Sequence, residues 1–262
     1  MKFKYLLPAF SLFFLLLLFY SCGDDSAVMG PDDDPVTGDP GFEFNHELNP
    51  GASAFDLLRD TDFEELILEV DYMEGFRPTD RSLDSLKAFL ERRLNKSTIT
   101  ILEPAQIPAG GQSSYTANEI RELEREHRDT FSREGVIATY FIVVDGEFSQ
   151  SNVLGIAHFN TSMALFGKTI NDASGGIGRP ARHTIETIVM RHEFGHIMGL
   201  VNNGVEMQDF HQDVENGKHC TVEECLMYFS VRTTDFFANL FGGDIPQLQH
   251  FCRADLSAAG GK

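Results

Sequence analysis

The amino-acid sequence predicts a mixed α/β fold, also described as α+β, in which helices back a twisted sheet. Residues 136–144 form a long apolar run closed by Asp145 and Gly146, as expected of a central strand followed by a turn. Strand-like and helix-like patterns alternate before this run, and two further strands follow it in succession. A helix over residues 184–200 comes next. This order of elements indicates a mixed sheet covered by helices.

The first 21 residues have the pattern of a signal peptide. Lys2 and Lys4 give a positive start, and residues 5–20 are apolar but short for a membrane span. The run ends in F-Y-S-C, which resembles a bacterial lipoprotein signal, and the resemblance implies that Cys22 is acylated after cleavage. We therefore predict an exported lipoprotein at the outer membrane, on its periplasmic or cell-surface face. An uncleaved membrane anchor is the alternative.

Acidic residues, glycine and proline dominate residues 22–50, and such a composition cannot bury a core. This stretch is predicted to be a flexible tether. Residues 51–262 are predicted to fold as one domain, with an N-terminal subdomain of residues 51–200 and a C-terminal subdomain of residues 201–262. The net charge of −19 argues against nucleic acid as a partner.

Four elements are predicted before the central strand. Apolar and polar residues alternate over residues 66–72, which predicts a strand. Ser82 begins a predicted helix with leucines at helical spacing. Residues 98–102 are rich in β-branched side chains and predict a short buried strand. Thr116 and Glu119 form a capping-box pattern at the start of a second helix.

Two strands and a loop are predicted between the central strand and the helix of residues 184–200. The strands cover residues 152–159 and 162–166, and the glycine-rich residues 167–182 predict the loop. The strand of residues 162–166 comes last, so it is the candidate for the sheet edge beside a cleft. An exposed edge there would bind an extended peptide by strand addition. A strand that only packs is the open alternative.

The helix of residues 184–200 carries the motif H-E-x-x-H. His192 and His196 lie one turn apart on the same face, spaced to share a metal ion. Glu193 lies about 100° further round the helix, where it can reach a metal-bound water without binding the metal. Apolar residues at helical spacing predict an amphipathic helix with both histidines on the buried face. Gly199 is its predicted end.

A catalytic zinc ion needs a third protein ligand beyond the two histidines of the motif. The motif and the glycine after it resemble the metzincin metallopeptidases, H-E-x-x-H-x-x-G-x-x-H, but Asn202 occupies the last position and a carboxamide is a poor zinc ligand. Further on, His219, Cys220, Cys225 and Met227 resemble the archaemetzincin subgroup, in which the third histidine is followed by C-x4-C-x-M.

The resemblance implies a metzincin-like zincin fold with the motif helix at the active site and a small C-terminal subdomain. It implies that His219 is the third ligand of one catalytic zinc ion, and that Met227 forms a tight turn beneath the metal. His211 is the rival third ligand. A glutamate ligand, Glu223 or Glu224, is a less favoured possibility because these residues lie in a cysteine-bounded turn.

Archaemetzincins also carry a later C-x-x-C, which completes a second, structural zinc site with the first two cysteines. In this chain only Cys252 follows Cys220 and Cys225, so the resemblance implies no second zinc ion and favours a disulfide that uses Cys220 or Cys225. With Cys22 acylated, an odd number of thiols remains. The pairing stays open.

The functional prediction is a zinc-dependent endopeptidase that acts on proteins or peptides, with Glu193 as the base that activates a zinc-bound water. A narrow-specificity zinc peptidase or amidase is one alternative. A surface lipoprotein that keeps the fold as a binding module with a degenerate site is the other, and Asn202 is the residue that favours it.

Overall fold

The computed structural model describes residues 42–238, 240 and 244–262 of the 262-residue chain. The predicted signal peptide, Cys22 and residues 22–41 of the predicted tether lie outside the described residues. The strands are β1 (Phe63–Met73), β2 (Thr98–Ile101), β3 (Ala105–Ile107), β4 (Ser114–Tyr115), β5 (Gly135–Val144), β6 (Glu147–Phe148), β7 (Gly155–Phe159), β8 (Ser162–Phe166), β9 (Gln212–Asp213) and β10 (His219–Cys220). The helices are α1 (Ala54–Leu58), α2 (Asp80–Glu91), α3 (Ala117–His127), α4 (Gly167–Ala173), α5 (Arg182–Ile197), α6 (Thr234–Ala238) and α7 (His250–Ala258), with 3₁₀ turns at Val214–Asn216 and Phe229–Arg232.

A six-stranded mixed sheet lies at the centre of the fold, in the order β2-β1-β5-β8-β7, with β3 also paired to β1. All its pairs are parallel except β7 with β8, which is antiparallel. The predicted mixed α/β class is therefore confirmed. The predicted central strand is also confirmed, because β5 pairs on both sides and every residue from Val136 to Val144 is buried.

Both faces of the sheet are covered, which explains the unbroken apolar run of β5. Ile137 and Phe141 join the larger core cluster together with residues of α2 and α5. Tyr140 and Ile142 point to the other face, into a smaller cluster that includes Ile120 of α3. The strand thus sends alternate side chains into two cores.

The predicted sheet edge is wrong. Strand β8 lies between β5 and β7, so β7 forms the edge instead. The chain reverses at Asn160 and Thr161. This hairpin places β8, the later strand, next to β5, and leaves β7, the earlier strand, at the edge of the sheet. Strand β2 forms the opposite edge, where Thr98 and Thr100 are exposed and only Ile99 is buried. It is therefore a half-exposed edge strand and not the predicted buried one.

Helix starts follow their capping side chains. The capping box of Thr116 and Glu119 is present at the start of α3, as predicted. Helix α2 begins two residues before the predicted Ser82, because Thr79 caps it by accepting a hydrogen bond from the Ser82 N–H at 3.3 Å. The predicted loop of residues 167–182 contains the short helix α4, whose Ile170 is buried in the larger core.

Helix α5 is buried on all sides, so the prediction of an amphipathic helix is wrong. Every residue from Thr184 to Ile197 is buried. The helix contacts β7 and β8 of the sheet, and α2, α4 and the 3₁₀ turn at Phe229–Arg232 cover the rest of it. Because α2 and the 3₁₀ turn come from distant parts of the chain, the local pattern did not reveal this burial.

The folded chain begins before residue 51. Phe44 packs edge-on against Phe63 of β1, with ring centroids 5.6 Å apart, and His46 is buried. The Leu48 N–H donates to Asn160 Oδ1 at 3.1 Å, and the Asn160 N–H donates to the Leu48 carbonyl at 2.9 Å. Residues 42–50 therefore belong to the folded unit and not to the tether. Among the described residues, no helix has the length and apolarity needed to cross a membrane.

Glu124 of α3 is buried at the centre of a polar network. Its Oε1 accepts hydrogen bonds from Arg128 Nη1 at 2.8 Å and Ser162 Oγ at 2.5 Å, and its Oε2 contacts His158 Nε2 at 2.5 Å. Both Glu124 and Arg128 are almost fully buried. Removing either charge would leave the other without a partner away from water.

We expect Glu124→Ala to lower the free energy of unfolding by about 3–5 kcal/mol, because Arg128 would stay buried and unpaired. Urea denaturation measures this loss. The matched control is Glu47→Ala, which removes an exposed ion pair with Arg125 and is expected to cost far less. If both variants lost the same free energy of unfolding, burial would not be the reason why the Glu124–Arg128 pair matters for stability.

Candidate metal centre

Helix α5 ends in a glycine turn just beyond the second histidine of the motif. The Leu200 N–H donates to the Gly195 carbonyl and the Gly199 N–H to the His196 carbonyl, both at 3.1 Å, which is the Schellman pattern. Gly199 has φ +80°, and an added Cβ would lie 2.7 Å from the Ala54 Cβ. The predicted end of the helix at Gly199 is confirmed.

His192, His196 and His219 lie together, with one ring nitrogen of each within 4.8 Å of the others. The Nε2 atoms of His192 and His196 are 3.2 Å apart. Two nitrogen ligands of a tetrahedral zinc ion, each about 2.0–2.1 Å from the metal, lie roughly 3.3 Å apart. The spacing therefore fits a shared metal ion.

His219 reaches the motif histidines from strand β10, after the long excursion of residues 201–217. Strand β10 pairs antiparallel with β9, and this pairing sets the direction of the His219 side chain. Asn202, at the position where the metzincin motif has its last histidine, donates from Nδ2 to Gln212 Oε1 at 3.3 Å. His211 lies elsewhere, in a cluster of cysteines.

Two of the three histidines have their tautomer set by a backbone carbonyl. His192 Nδ1 lies 2.7 Å from the Leu226 carbonyl, and His219 Nδ1 lies 2.7 Å from the Asn216 carbonyl. A carbonyl only accepts, so each Nδ1 carries the proton and each Nε2 keeps its lone pair. The buried His219 Nε2 has no hydrogen-bond partner among the described residues. A metal ion would satisfy it.

Burial keeps the three imidazoles neutral, which is the form that binds metal. Burial lowers the pKa of His192 and His196 well below 6.5, and the positive charge of Arg232 adds to this effect. Burial also lowers the pKa of His219 to about 4. The donor set at neutral pH is therefore three neutral nitrogen ligands.

Glu193 is held beside the histidines by the edge strand of the sheet. Its Oε2 accepts a hydrogen bond from the Ala157 N–H of β7 at 2.8 Å. Its buried Oε1 has no partner among the described residues. Burial raises the pKa of Glu193 to about 7, and the charge of Arg232 opposes the rise. One oxygen is thus fixed, and the other is free to exchange a proton near neutral pH.

An open cleft of about 500 Å³ is lined by Glu193, His196 and His219. Ile156 and Ala157 of the edge strand line one part of it. Polar residues that were not predicted from the sequence line another part of the cleft: Asn216, Lys218 and Arg232. Asn216 and Lys218 could have been predicted to line the cleft because they closely precede His219 in the sequence. No nearby motif indicated Arg232.

Met227 packs beneath the motif helix. A Cβ added to Gly195 would lie 2.3 Å from the Met227 Sδ. The Met227 carbonyl accepts a hydrogen bond from the Cys220 N–H at 2.8 Å. Met227 therefore contacts α5 through its side chain and β10 through its main chain, and so lies between the elements that carry His196 and His219.

We expect Gly195→Ala to lower the free energy of unfolding by about 1–3 kcal/mol, because the new methyl group overlaps the Met227 sulfur. Urea denaturation measures the loss. Met227→Leu, which keeps the volume similar, is expected to cost less than about 1.5 kcal/mol. In the double variant with Met227→Ala, the two changes should cost less than their sum. Strict additivity would show that the two residues do not clash.

A second group of side chains that could hold a metal ion consists of His211, Cys220 and Cys252. Cys220, Cys225 and Cys252 are buried, and none of them forms a disulfide, so the favoured disulfide is wrong. His211 Nδ1 lies 3.3 Å from Cys220 Sγ, and Cys225 Sγ lies 3.6 Å from Cys252 Sγ. The disulfide prediction considered only the thiols, whereas the structure places His211 beside Cys220.

Among the comparisons with known proteins, the search of solved structures gave matches. A scan against protein-family models found no match, and a search of curated proteins also found none. Among solved structures, the chain is similar to the crystal structure of an archaemetzincin from Methanopyrus kandleri, with 14% sequence identity and a TM-score of 0.49. The match covers 75% of this chain and 95% of that chain. The function proposed below rests on the side chains of this chain.

Proposed function

We propose that the chain is a zinc-dependent endopeptidase with His192, His196 and His219 as metal ligands and Glu193 as the catalytic base. The observation that carries the proposal is the convergence of neutral imidazole nitrogens beside a carboxylate with one free oxygen. Zinc in such a site would acidify a water molecule and polarise the scissile carbonyl group. Three protein ligands leave a position open for that chemistry.

Glu193 moves the protons of the reaction. The Ala157 N–H fixes its Oε2, so Oε1 is the oxygen that takes a proton from the attacking water. A carboxyl group whose pKa is raised to about 7 also releases this proton readily to the departing amine. Hydrolysis then needs no covalent intermediate with the enzyme.

The substrate would bind as an extended peptide along β7. This strand ends the sheet order, and its Ile156 and Ala157 line the cleft. An edge strand offers its free main-chain donors and acceptors to an added strand without selecting side chains, although in β7 the Ala157 N–H already binds Glu193. An endopeptidase acting on proteins or peptides is therefore the activity that best fits the cleft.

The exported, lipid-tethered location is part of the proposal and is supported by the sequence alone. Lys2, Lys4, the apolar residues 5–20 and the F-Y-S-C ending support cleavage before Cys22 and its acylation. Labelling with a radioactive fatty acid tests this step. The wild-type chain should take up label and Cys22→Ala should not; label in both would refute acylation at Cys22.

The central experiment measures metal content and hydrolysis on the purified full chain. A mixture of quenched fluorescent peptides should be cleaved, a chelator should stop the cleavage, and added zinc should restore it. Cleavage that survives complete metal removal would refute the mechanism. A chain that binds no metal and cleaves nothing would favour the binding-module alternative.

A further inference from the structure

The cleft holds a positively charged side chain that the proposed mechanism does not use. Arg232 lines the cleft together with Glu193, His196 and His219. It is half-buried, and its guanidinium forms no hydrogen bond or ion pair with any other described residue. A charged group that is partly withdrawn from water gains from an acceptor that replaces the lost water. An anion from outside the chain would supply that acceptor.

The main chain of Arg232 is fixed beside the start of the edge strand β7. The Leu154 N–H donates to the Arg232 carbonyl at 3.1 Å, and the Thr234 N–H donates to the Asn152 carbonyl at 3.2 Å. An antiparallel bridge joins the two residues that lie between these hydrogen bonds. Because β7 begins at the next residue, Gly155, this pairing holds Arg232 at the end of the cleft where the edge strand starts.

The same end of β7 lies next to the carboxylate proposed as the catalytic base. A Cβ added to Gly155 would lie 3.1 Å from the Glu193 Cγ. Burial raises the pKa of Glu193 to about 7, and the nearby positive charge of Arg232 acts against this rise. Arg232 is therefore close enough to the reacting groups to contact substrate residues beside the cleaved bond.

Lys218 also lines the cleft but is less suited to bind an anion. Its ammonium donates to the Asn202 carbonyl, and the residue is exposed to water. An exposed ammonium is strongly hydrated and gains little from pairing with a carboxylate. A guanidinium instead binds a carboxylate through two parallel hydrogen bonds. Of the two cations, Arg232 is therefore the one that suits a planar anion.

We infer that Arg232 determines substrate specificity by binding a carboxylate of the peptide, an inference that rests on the proposed peptidase function. The carboxylate is either an acidic side chain near the cleaved bond or the C-terminus of a short peptide. The chain as a whole is acidic, with a net charge of −19. Salt screens exposed charges over about 8 Å at physiological ionic strength, so the local charge of Arg232 outweighs the repulsion by distant acids.

Matched peptides test the inference and separate the two sources of the carboxylate. A peptide that the full zinc-loaded chain cleaves is first identified from the quenched mixture, and Glu or Gln is then placed at each position beside the cut. The same peptides are made with free and with amidated C-termini. We expect kcat/KM to be about 10- to 100-fold higher for a Glu peptide than for its Gln counterpart, or for free C-termini than for amidated ones.

Substitutions test whether Arg232 causes this preference. Arg232→Ala should abolish it through a higher KM, and Arg232→Lys should restore part of it. Lys218→Ala is the matched control, because it removes a positive charge from the same cleft, and it should keep the preference. If Arg232→Ala instead lowered kcat equally for acidic and neutral peptides, Arg232 would act on the reaction itself and the inference would be wrong. If Arg232→Ala does not fold, Arg232→Lys and the wild-type peptide pairs decide the question.

Peptide binding without turnover separates this inference from the proposed function. Calorimetry on the zinc-loaded Glu193→Gln chain measures the affinity for uncleaved Glu and Gln peptides, and for free and amidated ones. We expect the preferred carboxylate to lower Kd by about 10- to 100-fold. That preference without any cleavage by the wild-type chain would refute the peptidase and keep the carboxylate site. Cleavage with equal kcat/KM for all matched peptides would refute the carboxylate site and keep the peptidase.

Discussion

Glu193→Gln is expected to lower the kcat for peptide hydrolysis by about 10²- to 10⁴-fold while zinc stays bound. The amide keeps the hydrogen bond from the Ala157 N–H, because its carbonyl oxygen can take the place of Oε2. It cannot accept a proton from water at neutral pH. The variant should therefore keep the wild-type zinc content and fold but lose turnover.

Steady-state kinetics and metal analysis of the same sample measure both outcomes. Glu223→Gln is the matched control, since Glu223 is exposed and was a less favoured candidate ligand in the sequence. It should keep full activity and full zinc content. A Glu193→Gln enzyme with wild-type turnover would exclude Glu193 as the base.

His219→Ala is expected to lose the metal ion, whereas His211→Ala is expected to keep it. Without His219, the two motif histidines alone hold zinc weakly, so hydrolysis should fall at least as far as with Glu193→Gln. Without His211, the three-histidine site keeps all its ligands. Only His211→Ala should therefore retain the zinc ion and measurable hydrolysis.

Metal analysis and peptide kinetics on the same samples distinguish the two variants. His219→Ala should contain less zinc than the wild-type chain, and His211→Ala should keep its zinc. The opposite pattern would show that His211 is the third ligand of the catalytic ion.

Features with a local signal were predicted well from the sequence. The apolar run of β5, the capping box at Thr116 and the glycine end of α5 each depend on residues close together in the chain. The motif histidines are separated by one helical turn, so their proximity also follows from helix geometry alone.

Features that depend on distant contacts were not predicted. The hairpin at Asn160 and Thr161 decides which strand forms the sheet edge, and nothing in either strand reveals its spatial order. The burial of α5 depends on elements that the chain adds before and after it. His211 meets Cys252 across about 40 residues, and a spacing rule that counts only cysteines cannot detect that pairing.

The packed N-terminal segment has a consequence for where such an enzyme could work. Asn49 and Pro50, which end this segment, line the cleft itself, and the folded chain is already under way at Phe44. If Cys22 carries the proposed lipid, about 20 residues separate the lipid from this segment, and a chain of that length can span at most roughly 70 Å. Under that proposal, the segment that borders the cleft would stay within this distance of the bilayer. Proteins beyond that radius would be spared whatever their sequence.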